Sequence, residues 1–82
     1  MSDYLKNVGR LEEKKRKKLD LEIKMKALVE QIHDKADPLD DISALDTEII
    51  AADAMELARL HIEYKALIDD IRAVNKALGR ES

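Results

Sequence analysis

The chain of 82 residues contains no cysteine, tryptophan or phenylalanine, one proline, two glycines, and Tyr4 and Tyr64 as its only aromatics. Each shortage excludes something. Without cysteine there is no disulfide, no thiolate nucleophile and no thiolate metal site, so metal binding or catalysis would rest on carboxylates and on His33 and His61. Two isolated glycines cannot form a phosphate-cradling loop, and the scarcity of aromatics leaves little on which unpaired bases could stack. Three valines against 10 alanines and 11 leucines point away from sheet and toward helix. No apolar run approaches the roughly 20 residues that a bilayer span requires, and the N-terminus lacks a hydrophobic signal core. The expected location is therefore cytoplasmic, with no membrane span.

What the chain does have is charge and helical periodicity. Charged residues make up 40% of it and the net charge is −3, a balance that argues against a dedicated polyanion binder. The charge is unevenly spread: residues 1–33 carry nine Lys/Arg against six Asp/Glu, and residues 34–82 carry six against twelve. A chain this short buries little apolar surface, so regular helix packing or self-association must stabilise it.

The strongest break is His33-Asp34-Lys35-Ala36-Asp37-Pro38. Proline disfavours helix at the residue before it and suits the first position of a new one, so Asp37 reads as an N-cap. Asp40 and Asp41 would then complement the dipole of the first turn. Lys76 and Gly79 resemble a C-terminal signal, a basic last turn followed by a left-handed cap. These signals predict a first helix over about 3–34, a turn at 34–37 and a second helix over about 38–78, all in one domain.

Advancing 100° per residue, Leu39, Ile42, Leu45, Ile49, Ile50, Leu57, Leu60, Tyr64, Leu67, Ile68, Ile71, Val74 and Leu78 form one stripe on the second helix. From Leu57 the spacing alternates three and four, the pattern of a coiled-coil seam. On the first helix Leu21, Met25, Leu28 and Ile32 form a clean stripe, continued at a shifted angle by Tyr4, Val8 and Leu11. Glu12 to Lys18 contains no apolar residue, Gly9 is a candidate kink, and Leu19 and Ile23 point nearly opposite the main stripe. A short connection folds the two helices into an antiparallel hairpin.

With that turn, facing residues have numbers summing to about 71. Lys18 then neighbours Asp53, and an interhelix ion pair to Asp53 from Lys18, or from Lys14 one turn away, is expected to define register more than to add stability. Ile71, Val74 and Leu78 would project past the first helix. An exposed apolar seam of this kind usually marks an interface, which assigns Leu57, Leu60, Tyr64, Leu67, Ile68, Ile71, Val74 and Leu78 to an oligomer or partner surface, with Leu19 and Ile23 as a secondary face. The fold class is thus all-α: an antiparallel two-helix hairpin, a long helical coiled coil, that associates into a dimeric four-helix bundle.

The polar constellations have competing readings. Lys14, Lys15, Arg16, Lys17 and Lys18 could contact phosphates, but consecutive residues point all round a helix, and the acidic second helix can neutralise them. Glu30 and His33 have the Glu-x-x-His spacing of helical di-metal sites, yet lie opposite the apolar stripe. Asp34, Asp37, Asp40 and Asp41 lack the glycine and closing glutamate of a calcium loop and are explained by capping. His61 sits at the boundary of the second stripe. No nucleophile is placed beside a base, so no enzyme activity, cofactor or metal is expected. The reading is a non-enzymatic module for protein interaction or oligomerisation, in a structural, adaptor or small chaperone-like role. Its partner would be a second copy or an amphipathic helix of another protein. The alternative is a small nucleic-acid-binding regulator presenting residues 14–18 on a dimeric bundle.

Overall fold

In a computed structural model, which describes residues 3–79, the chain forms two long α-helices packed side by side as an extended hairpin of 62 × 19 × 16 Å. Helix α1 spans Asp3–Lys35 and helix α2 spans Thr47–Ala77. Between them a single 3₁₀ turn occupies Ile42–Ala44. No helix among the described residues is long and apolar enough to cross a membrane.

The second helix begins nine residues later than the sequence predicts, at Thr47 instead of Pro38. Three aspartates compete to start it. Asp37 closes a turn: its Oδ1 accepts from the Leu39 amide at 2.9 Å and its carbonyl from the Asp40 amide at 3.1 Å. Pro38 therefore sits second in a β-turn, where its fixed φ is equally at home. Asp41 caps the 3₁₀ turn, accepting from both the amide and the hydroxyl of Ser43 at 2.9 Å. Asp46 is the true N-cap of α2; its Oδ1 accepts from the Ile49 amide at 3.3 Å, and Glu48 lies in the first turn. Leu39 and Ile42, read as the start of the apolar stripe, are instead 92% and 81% exposed on the hairpin tip.

At the other end the expected left-handed cap is present: Gly79 has φ +74°, and its amide donates to the Lys76 carbonyl at 3.0 Å. Gly9, by contrast, is spanned by α1 without interruption.

The longer connection resets the register. Lys14 Nζ lies 3.5 Å from Asp70, Lys17 Nζ lies 3.4 Å from Glu63, and Tyr64 Oη donates to Glu22 at 2.6 Å. The Lys14–Asp70 and Glu22–Tyr64 pairs set facing residues at sums of about 85 instead of about 71, with the long Lys17 side chain reaching about one turn along α2 to Glu63. This is a slip of two whole heptads that keeps the same faces together. In this register α1 contributes Asn7, Leu11, Lys14, Lys18, Leu21, Met25, Leu28, Ile32 and Lys35, all buried or half-buried. Helix α2 contributes Ile50, Asp53, Leu57, Leu60, Tyr64, Leu67, Ile71 and Val74, and its C-cap Leu78 continues the series, all likewise buried or half-buried. Both series alternate three and four. Leu21, Leu60 and Leu67 form the core, with Met25, Leu28, Tyr64 and Ile71 packed against it, and Leu11 is fully buried nearer the open end. Burying each such leucine is worth about 1.5–3 kcal/mol.

Candidate interaction surface

The residues assigned by sequence to an oligomer surface face the chain's own first helix. Leu60 and Leu67 are buried with Leu21, and Tyr64 and Ile71 pack on that cluster. Leu57, Ile68, Val74 and Leu78 are half-buried along the same side. The expected overhang is absent, because α1 reaches far enough in the new register to cover Ile71, Val74 and Leu78.

The polar gap in α1 is part of this seam. Lys14 and Lys18 occupy core-facing positions, where their aliphatic stems cover apolar surface while the ammonium groups reach outward. Lys14 goes to Asp70 and Lys17 to Glu63 across the hairpin. Lys18 does not meet Asp53. Its Nζ lies 3.4 Å from Glu22 and 6.0 Å from the centroid of the Tyr64 ring. The Tyr64 hydrogen bond, more than the nearby Lys18, holds the Glu22 carboxyl below its usual 4.5. The same bond raises the Tyr64 phenol above 10.0. A facing sum of about 85 sets Asp53 opposite position 32, two heptads from Lys18, and its Oδ2 is buried with no hydrogen-bond partner among the described residues. Of the basic run only Lys15 and Arg16 extend into solvent without an ion pair among the described residues.

The other polar candidates stay apart. Glu30 and His33 are exposed, and His33 Nδ1 lies 3.7 Å from its neighbour Asp34. The loop aspartates are engaged as caps by Leu39, Ser43 and Ile49. His61 is exposed beside the seam. Among the described residues no three His, Asp or Glu side chains converge as metal ligands would.

Apolar side chains remain on the outer faces. Leu19 and Ile23 are more than half exposed on the back of α1, as the sequence indicates. On the back of α2, Met55 and Ile62 are 74% and 67% exposed, and Ala51 and Ala58 beside them are exposed as well. An open shallow groove there is lined by Ala52, Met55, Glu56 and Arg59, with the Arg59 guanidinium tied to Glu56. The positions 51, 55, 58 and 62 repeat the four-three-four spacing of a seam. That second period is legible in the sequence but is masked there by the stronger stripe on the opposite side. Compared with protein-family models, with characterised proteins and with solved structures, the chain matches none.

Proposed function

We propose that this hairpin is a non-enzymatic helical interaction module that docks on partners through the outer faces of its helices. One observation carries the reading. After the internal seam has taken up its leucines, Met55 and Ile62 on α2, and Leu19 and Ile23 on α1, still stand in water. A folded chain of 9.3 kDa typically exposes about 5,000 Å². This one exposes 6395 Å², an excess larger than the roughly 800 Å² that one side of a standard protein interface buries.

The charges support the same reading. Lys14, Lys17 and Lys18 are drawn to Asp70, Glu63 and Glu22, so much of the basic run is neutralised within the chain. The ionisable side chains form ridges along the hairpin, whereas acid–base chemistry requires them to converge on a cavity.

Photo-crosslinking in the cell that expresses the protein tests the proposal. A benzophenone amino acid at Ile62 is expected to give a discrete protein adduct. The same group at Lys24, on the ionic flank where Lys24 pairs with Asp20, is expected to give none. Equal labelling from both positions, or none from Ile62, would overturn the reading.

A further inference from the structure

We infer that the occupant of the outer face of α2 is the same face of a second copy, running antiparallel. The inference rests on the interaction reading above and adds the partner and the register. Ala51, Met55, Ala58 and Ile62 alternate small and large at seam spacing. Set antiparallel about a two-fold axis between residues 56 and 57, each Ala51 meets the other copy's Ile62 and each Met55 meets its Ala58. Every layer then holds one small and one large side chain, so the helices approach closely without leaving gaps.

The charges that continue the same line follow the same rule. One step beyond Ala51 is Glu48, and one step beyond Ile62 is Lys65. Both are exposed and neither forms an ion pair among the described residues. In this register Glu48 of each copy meets Lys65 of the other, which closes the apolar patch at both ends with opposite charges.

The competing arrangements lose this match. A parallel pairing sets Ala51 on Ala51, Met55 on Met55, Glu48 on Glu48 and Lys65 on Lys65, with gaps, crowding and like charges in successive layers. Slipping one heptad in one direction puts Met55 against Lys65, and in the other it places Ile62 beside Ala44 in the connection. The acceptable register is therefore single, and α2 contacts α2 at the centre of the assembly while each α1 lies outside.

The absence of native cysteine makes the test direct. Met55→Cys and Ala58→Cys chains are mixed and oxidised gently. The mixture is expected to form the 55–58 disulfide several-fold faster than either variant alone, because only that pair approaches the Cα separation of under about 7 Å that the bond allows. In sedimentation, Lys65→Glu is expected to weaken self-association roughly tenfold, and the exchange Glu48→Lys with Lys65→Glu to restore it. Ile62→Asp, at an exposed position, should abolish association with the helical circular dichroism unchanged. Cross-linking of either variant alone as fast as the mixture would overturn the antiparallel register, as would failure of the charge exchange to rescue. A protein that remains monomeric at micromolar concentration would overturn self-pairing altogether. If the Ile62 photo-adduct then has the mass of a different protein, the self-pairing inference fails while the interaction module stands. If no adduct forms, both fail.

Discussion

Lys14, Lys18 and Asp53 all occupy seam positions, and they differ in what their charges can reach. The lysines have long stems, so their ammonium groups leave the seam for Asp70 and Glu22. Aspartate has one methylene and no such escape. Its Oδ2 is buried without a hydrogen-bond donor among the described residues, and an unsatisfied buried acceptor costs about 1–3 kcal/mol. Asp53→Leu is therefore expected to raise stability by about 1–2 kcal/mol in urea unfolding; a loss of stability would show that the carboxylate is better satisfied than this geometry indicates. The Tyr64–Glu22 bond gives a second expectation, readable in pH. Glu22 is held below 4.5 in the folded chain chiefly by this bond. Its contribution is complete above that value and is lost as pH falls through the lowered native value. Tyr64 is raised above 10.0 by the same bond. Its contribution is complete below that value and is lost as pH rises through the raised native one. The difference in Tm between the wild type and Tyr64→Phe should thus be greatest near neutrality and shrink at both extremes. A difference independent of pH would assign the effect of the substitution to packing.

At the level of the elements, the connection governs most of what departs from expectation. Asp37, Asp41 and Asp46 each accept a backbone amide hydrogen bond, and each has the residue type that starts a helix. The local sequence makes them equivalent candidates. What separates them is whether the following turn is carried onward by apolar residues that meet α1. Ile50, Leu57 and Leu60 do so, while Leu39 and Ile42 point into solvent. Asp46→Ala should accordingly cost about 1 kcal/mol of unfolding free energy, as N-cap losses do. Asp37→Ala should cost only a few tenths, since it loosens an exposed turn. The reverse order in chemical denaturation would mean that α2 starts at Pro38 in solution. Once the helix start moves, the register moves with it. A shift of two heptads is invisible to the periodicity of either helix, because each seam looks the same every seven residues.

Across the whole molecule, the consequence is that this hairpin covers its own best seam. The leucine-rich side of α2, which reads by itself as a surface in search of a partner, is buried by α1. The surface proposed for a partner moves to the opposite side, where Ala51, Met55, Ala58 and Ile62 form a shorter and weaker period. The sequence by itself determined that the protein is helical, that one helix is basic and the other acidic, and that a seam joins them, since propensity, charge and 3.6-residue periodicity are local properties of the chain. It also determined the glycine cap at position 79 and the outward placement of Leu19 and Ile23. The tertiary structure decided which aspartate begins α2, which heptads face one another, that Lys18 meets Glu22 instead of Asp53, and which apolar side remains open. All four depend on the path of the connection, and that path is chosen by how much apolar surface the two helices bury together, a quantity that neither helix carries alone.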